Sequence, residues 1–345
     1  MMLRRYRLDN NITFVFVPEI MSQAKVFVTR RLPTELQQLQ EIADVEVWME
    51  RQPPPYEVLL AKTKEIDGLL CLLTDQIDRQ LIEAATSIKV ISQMAVGYDN
   101  IDILSATARR IPIGHTPGVL TDATADLTWA LLMAAARRVV EADRFTRGGE
   151  WRTWEPDLLL GPNVTGATLG IVGFGRIGQA VARRAKGFET RIIYTSKHRC
   201  EPELEESLGV EFASFERLLQ ESDFVTIHTP LTADTHHLFS EPQFALMKQS
   251  AILINTARGT IVEPNALYQA LSNGQIAGAA IDVTEPEPIP TDSPLLSLDN
   301  LIITPHIGSA SRQTRKKMAD MAIENLIAGL KGERLPYCVN PEVYQ

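Results

Sequence analysis

Short apolar runs recur along the chain, each closed by glycine, a hydroxyl or a charged residue, with amphipathic stretches between them. In the first third the runs are Lys25–Thr29, Gly68–Leu73, Lys89–Met94 and Ile111–Gly114, and helical periodicity fills Thr34–Ile42 and Asp78–Ala85. Runs that are apolar throughout, rather than at alternate residues, suit strands buried on both faces. Alternating such strands with helices predicts a parallel sheet. From Asp122 to Arg147 no Pro or Gly interrupts an Ala- and Leu-rich stretch. One long helix is expected there, capped by Thr121 or Asp122 and stopped by Gly148-Gly149. Ala123, Leu127, Ala130, Leu131, Ala134 and Arg138 share one of its faces. That small-residue stripe either meets a second subunit or packs within its own, and periodicity does not separate the two.

Six further runs follow: Thr168–Gly173, Arg191–Ser196, Phe224–Thr229, Ala251–Thr256, Gly278–Val283 and Leu301–His306. Helical stretches such as Arg176–Phe188, Ser214–Gln220 and Pro264–Ser272 separate the earlier ones, the pattern of a doubly wound nucleotide-binding domain. Ligands of such sheets lie outside the carboxyl ends of the strands. Gly173, Ser196, His228, Arg258, Asp282 and His306 all fall at those ends. The amphipathic segment Gln313–Leu330 is expected to return to the first lobe, which makes that lobe discontinuous. The domains expected are 21–117 with 308–345 for substrate, and 118–307 for a dinucleotide. Residues 1–20 read as a poorly ordered appendage, because Met21 opens the first strand-like stretch.

Composition narrows the class. A charged fraction of 22% and a formal net charge of −9, with no long basic run, argue against nucleic-acid or membrane-surface partners. No stretch reaches the ~18 apolar residues of a membrane helix, and Ile12–Val17 is too short for a secretory core. Cys71, Cys200 and Cys338 are far apart, so neither a disulfide framework nor a metal site is expected. A reducing cytoplasm fits.

The chemistry gathers in a few motifs. Gly173-Phe174-Gly175-Arg176-Ile177-Gly178 follows an apolar strand and opens a helix, the context that makes a G-x-G-x-x-G a pyrophosphate turn. The next strand ends in Thr195-Ser196-Lys197-His198-Arg199, without the acid that binds the ribose hydroxyls of NAD. Ser196, Lys197 and Arg199 instead offer a hydroxyl and cations suited to a 2′-phosphate. NADP(H) is therefore expected as the preferred coenzyme, ten- to a hundredfold, with NAD(H) as the alternative. His228, Pro230, Thr256 and Ala257 complete the expected coenzyme set. Arg258 ends the fourth strand, where its planar fork suits a substrate carboxylate. Asp282 either bonds a nicotinamide carboxamide or caps the next turn. His306 ends the sixth strand, and Glu287 is held in the proline-stiffened loop Glu285-Pro286-Glu287-Pro288. A carboxylate beside an imidazole favours imidazolium, a form able to hand a proton to an alkoxide. Val96 and Gly97, in the loop Met94–Asp102, offer backbone amides to a carboxylate across an interdomain cleft.

With AVGYDNID, GFGRIGQA, NTARG, the Asp282 to Glu287-Pro288 spacing and TPHIGSAS in one collinear order, the chain from about Lys25 to Asn340 resembles the D-2-hydroxyacid dehydrogenases, closest to their glyoxylate/hydroxypyruvate reductase branch. The resemblance implies a Rossmann coenzyme domain inserted in a flavodoxin-like, discontinuous substrate domain, and a homodimer. It implies that Arg258 binds substrate, His306 is the acid/base and Glu287 orients it. Trp154, beyond the long helix, either reaches a partner's active site or is buried in its own subunit. Two departures stand out: residues 1–20 have no counterpart, and Lys197 replaces the common Arg of the basic loop. A small 2-oxoacid is the expected substrate. The rivals are a D-lactate or phosphoglycerate enzyme of the same family and a non-catalytic coenzyme-sensing protein of the corepressor kind.

Overall fold

The apolar runs form two all-parallel sheets, one in each of two units of the chain, residues 1–116 with 319–345 and residues 117–318. This computed structural model describes residues 23–345 in full, and residues 2–8 and 11–17 as backbone strands only. Those strands, β1 (Met2–Leu8) and β2 (Asn11–Val17), pair antiparallel with Met2 opposite Val17. Otherwise the expectation of a poorly ordered appendage over 1–20 lies outside the described residues.

In the first unit the strands are β3 (Ala24–Val28), β4 (Ala43–Val47), β5 (Gly68–Cys71), β6 (Val90–Gln93) and β7 (Ile113–Gly114). Their order is β4-β3-β5-β6-β7, the flavodoxin-like winding, with its switch point between β3 and β5. Every residue of β5 and β6 is buried, as their unbroken apolar runs require. β4 is absent from the expectations for a physical reason: as an edge strand it buries one residue, Ala43, and the rest, Asp44-Val45-Glu46-Val47, alternates exposed acids with half-buried valines instead of forming an apolar run. Helix Arg79–Ala84 starts where Asp78 accepts from the Leu81 N–H at 2.9 Å. The last helix, Arg312–Leu330, runs through the 318/319 boundary between units, so the second crossing lies inside it rather than at 307/308. Its second half packs on β6, where Ser92 Oγ donates to the Ala322 carbonyl at 2.7 Å. A Cβ on Gly329 would lie 2.5 Å from the Val90 side chain.

The second unit holds β8 (Thr168–Val172), β9 (Arg191–Thr195), β10 (Val210–Phe212), β11 (Phe224–Ile227), β12 (Ile252–Asn255), β13 (Gly278–Ile281) and β14 (Leu301–Ile303). The order β10-β9-β8-β11-β12-β13-β14 is the Rossmann order extended by a seventh strand, and all its pairs are parallel. Alternate residues feed two cores: Val225, Leu253 and Ala279 enter one, Phe224, Ile252, Ile254 and Ala280 the other. The short edge strand β10 is again the one without an apolar run.

Two helical expectations need correction. The stretch expected as one helix is two, Thr121–Ala136 and Val139–Arg147. Arg138 between them adopts φ 51°, and its guanidinium turns onto Glu141 at 2.7 and 2.8 Å. Gly161 also packs so closely on the first helix's end that a Cβ there would lie 2.0 Å from the Ala136 carbonyl oxygen. Leu120, not Thr121 or Asp122, precedes the helix, and no side chain caps it. Gly148 and Gly149 do close the second piece, Gly149 at φ 72°. Thr34–Ile42 yields only the single turn Gln37–Gln40, and Thr34, outside it, donates Oγ1 to Asp320 Oδ1 at 2.6 Å. The face opposite the small-residue stripe carries the packing of Thr121–Ala136. Trp129 stacks on Phe188 with ring centroids 4.6 Å apart and donates to the Val181 carbonyl.

One buried titratable group sits at the end of β11. Both ring nitrogens of His228 are inaccessible and have no hydrogen-bond partner among the described residues, and burial pushes the imidazole down to about 3. The unfolded chain takes up this proton near 6.5 and the folded chain only near 3. Stability from neutral His228 is therefore complete above about 6.5 and is lost as pH falls toward 3. Without added coenzyme, the urea midpoint of His228→Gln should fall less steeply between pH 6.5 and 4 than that of the parent. Equal slopes would assign the acid sensitivity to other groups.

Candidate active site

Parallel strands bring their carboxyl ends to one edge of the seven-stranded sheet. In the order β8, β11, β12, β13, β14, neighbouring ends are about 4.8 Å apart. The glycine turn opens this edge. Gly173 holds φ 92°, and a Cβ on it would lie 2.5 Å from the Thr229 nitrogen. A Cβ on Gly178 would lie 2.3 Å from the Gly173 carbonyl oxygen, so only glycine lets the helix Arg176–Ala185 meet the strand. At Gly175, which precedes that helix, the same position faces open space. Tight turn, open backbone and close packing are the three roles that a pyrophosphate turn demands. With the His228 backbone against Gly173 and its buried ring nitrogens unpartnered among the described residues, this turn fits a dinucleotide.

Beyond β9 the basic loop departs from its expected reading. Ser196 is half-buried, and Lys197 and His198 are exposed. Arg199 gives Nε and Nη2 to the two oxygens of Glu205 at 2.8 and 2.7 Å. Glu205, brought back by the helix Pro202–Leu208, also accepts from the buried Tyr194 hydroxyl at 2.6 Å. Arg199, and after it Tyr194, hold the Glu205 carboxyl down to about 2. Sequence reading missed this acid because it searched the strand end, and Glu205 lies ten residues beyond Thr195 on another element. Pro230 is exposed and Thr256 buried, with its hydroxyl 2.9 Å from that of Thr128.

β12 ends in a turn that its own asparagine shapes. Asn255 donates to the Arg258 carbonyl at 2.8 Å and accepts from the Ala257 N–H at 3.0 Å. Arg258 Nη1 donates to the Ala257 carbonyl at 2.9 Å. Next along the edge, Asp282 is 1% exposed. Its carboxylate accepts from Thr304 Oγ1 at 2.5 Å and from the Ile307 and Gly308 N–H groups at 2.8 and 2.7 Å. Its backbone carbonyl accepts from His306 N at 2.9 Å. Of the two readings of Asp282, the hydrogen bonds favour a turn-builder, acting on the turn that carries His306. That residue holds φ 53°, a conformation costly for a non-glycine and common where function demands it. His306 Nδ1 lies 2.5 Å from Glu287 Oε1. An ionised carboxylate only accepts, so Nδ1–H donates and Nε2 is left to exchange a proton. The second Glu287 oxygen accepts from the Thr284 N–H at 3.3 Å.

In the first unit, the loop after β6 is pinned by a reciprocal amide pair, Gln93 with Asn100, at 2.8 and 2.9 Å. Gln93 also donates to the Gly97 carbonyl at 2.6 Å, and His115 Nδ1 lies 3.0 Å from the Val96 carbonyl oxygen. Trp154 is 79% exposed, so burial in its own subunit is not its state here. His236, His237 and Glu285 set their ligand atoms within 4.8 Å of one another, a group able to engage a cation that the sequence reading did not foresee. Here His237 Nε2 meets Glu285 Oε2 at 2.7 Å.

Asp282→Asn replaces an acceptor by a donor facing the 307–308 amides. It should lower stability by about 1.5–3 kcal/mol, the range for a hydrogen bond to a charged group. The His306 imidazole NMR signals should broaden or split as the turn loosens. An unchanged urea midpoint would show that the turn stands without this carboxylate.

Residues 129–308 match the family described as D-isomer specific 2-hydroxyacid dehydrogenase, NAD binding domain. The glyoxylate reductase of Korarchaeum cryptofilum is 53% identical over 321 residues, 92% of this chain and 96% of that protein. The glyoxylate reductase of Thermococcus litoralis is 52% identical over 324 residues, with 92% and 97% covered. Among solved structures, the NADPH-dependent glyoxylate/hydroxypyruvate reductase of Sinorhizobium meliloti, in complex with NADP and malonate, is 30% identical. It superposes with a TM-score of 0.82 over 93% of this chain and 98% of that one. Glycine turn, buried turn-building aspartate and histidine–glutamate pair thus stand in a chain that belongs to the D-isomer specific 2-hydroxyacid dehydrogenases, oxidoreductases that use a nicotinamide dinucleotide.

Proposed function

We propose that this protein reduces glyoxylate or hydroxypyruvate to glycolate or D-glycerate, with NADPH preferred and NADH as the alternative coenzyme. The observation that carries the proposal is the His306–Glu287 pair at 2.5 Å, one strand beyond Asp282 and two beyond Arg258 on the same sheet edge. The relatives named glyoxylate reductase at about 50% identity support the substrate class. Arg258 and the Val96 and Gly97 amides hold the substrate carboxylate, and Arg258 also polarises the adjacent carbonyl. A bound nicotinamide supplies the hydride to the carbonyl carbon. As the C=O electron pair moves to oxygen, His306 Nε2–H delivers the proton, and Glu287 keeps the ring oriented through Nδ1. We place the enzyme in the cytoplasm as a homodimer joined through residues 122–147. On that face Leu127 and Leu131 pack on the chain's own core, while Ala123 and Ala134 are half-buried and Ala130 exposed; these alanines would meet the partner, and the exposed Trp154 would reach that partner's site.

Turnover of a panel of 2-oxoacids with NADPH tests the substrate. Glyoxylate and hydroxypyruvate should lead in kcat/KM. Leadership by pyruvate or a phosphorylated acid would move the protein to another branch of the family, and no turnover at all would favour a coenzyme-sensing role. His306→Asn should bind NADPH normally and lose on the order of 10²–10⁴ in kcat. Glu287→Gln, which weakens one charged hydrogen bond, should lose roughly ten- to a hundredfold. A loss under tenfold in His306→Asn would remove that residue from the proton-donor role.

The coenzyme preference should lie near the lower end of the expected range, about tenfold, because Arg199 is already engaged by Glu205. Calorimetric titration of NADPH and NADH into the parent and into Thr195→Asp/Lys197→Ala/Arg199→Ala checks this. The triple variant should prefer NADH. Tighter NADH binding by the parent would sink the NADP assignment and leave the hydroxyacid chemistry standing.

A further inference from the structure

We propose that Glu205 sets the strength of the coenzyme preference, by holding Arg199 in place while cancelling part of its charge toward the 2′-phosphate. The inference rests on the NADPH reading above and names the residue that limits it. Three observations combine. First, the pair is bidentate, with Nε to Oε1 at 2.8 Å and Nη2 to Oε2 at 2.7 Å, so two of the guanidinium's five N–H groups are committed. Second, Glu205 is itself fixed from below. The Tyr194 hydroxyl donates to it at 2.6 Å and accepts from the Cys200 N–H at 3.0 Å, tying strand end, loop and helix together. Third, the Arg199 guanidinium also lies over Phe212, 5.7 Å from the ring centroid, yet its side chain stays 61% exposed.

The result is a cation that is rigidly presented to solvent but electrostatically half-spent. Lys197 and His198, by contrast, are exposed and make no ion pair among the described residues. An anion arriving at this loop meets Lys197 as a full charge and Arg199 as one end of a dipole. The acid that NAD-type sites put at the end of this strand to face the ribose is present here in another form. It comes from the following helix and is turned toward Tyr194 and Arg199. Because Arg199 holds the Glu205 carboxyl down to about 2, the negative charge persists at every pH at which the enzyme can be assayed.

Glu205→Gln removes the charge and keeps an amide oxygen for Tyr194 and Arg199. A unit charge just beyond a solvent-exposed guanidinium alters anion affinity by roughly three- to tenfold. Calorimetric titration without substrate should show NADPH binding three- to tenfold tighter in Glu205→Gln, with NADH within twofold of the parent. Raising ionic strength from about 0.05 to 0.5 M should shrink that gain, as charge–charge terms are screened. Arg199→Ala leaves Glu205 charged and uncompensated, and should weaken NADPH at least tenfold with little change in NADH. In the double variant Arg199→Ala/Glu205→Gln most of that loss should be recovered. This cycle stands even if the single glutamine variant folds poorly. An unchanged or lower NADPH/NADH ratio in Glu205→Gln, or no recovery in the double variant, overturns the role of Glu205. Failure of the NADP reading itself shows separately, as equal or tighter NADH binding by the parent.

Discussion

Asp282 is buried at the end of β13, and its carboxylate is tolerable there because three donors of the 304–308 turn meet it. The dependence runs both ways. Without the carboxylate, the Ile307 and Gly308 amides would be buried without a charged acceptor. Without the turn, the charge would be stranded. The turn in turn imposes φ 53° on His306, and that backbone conformation aims the imidazole at Glu287. A buried ion satisfied by a loop is thus what fixes the His306–Glu287 pair at a strand end. The strain at His306 persists because the hydrogen bonds around it over-determine the local geometry.

The same logic recurs at another strand end of this sheet and, separately, in the first unit. Asn255 closes the turn that presents Arg258, and a reciprocal amide pair closes the loop of Val96 and Gly97. In each place a side chain that never touches substrate in the proposed reaction fixes the backbone of one that does. Reacting groups can then sit on loops while holding the positional precision of the sheet, because every loop is bonded back to a strand end.

What could be read from sequence follows from burial. Strands buried on both faces are apolar throughout, so most of both sheets, the doubly wound pattern of the second unit and the six strand-end residues were legible in the residues. The flavodoxin-like winding of the first unit came from the resemblance. Two of the four edge strands are not legible: β4 and β10 carry no apolar run and read as loop, whereas the edge strands β7 and β14 keep apolar runs and were expected. The break at Arg138 escaped because arginine is a good helix former. Its left-handed turn is set by Glu141 and by the Gly161 segment packed on the helix end, contacts that no local periodicity encodes. The Asp282 network escaped in part for the same reason. Its partners lie more than twenty positions downstream, and only the end of the neighbouring strand brings them to it.

Glu205 shows where motif reading reaches its limit. The rule that an acid at the strand end marks NAD describes a charge at a place, not a position in a sequence. Here the strand end carries Thr195, so the linear pattern reads as NADP. In the folded chain a carboxylate returns to the same loop and is held by Tyr194 and Arg199. The electrostatics therefore lie between the two simple cases. A site with an acid facing the ribose repels a 2′-phosphate, and a site with unopposed cations attracts it. A guanidinium locked to a carboxylate does neither strongly, and leaves Lys197 as the principal full positive charge. Coenzyme choice in this chain is accordingly a property of the loop and the following helix taken together. Substitutions on that helix, remote from the glycine turn, can alter it without disturbing the His306–Glu287 pair at the other end of the sheet.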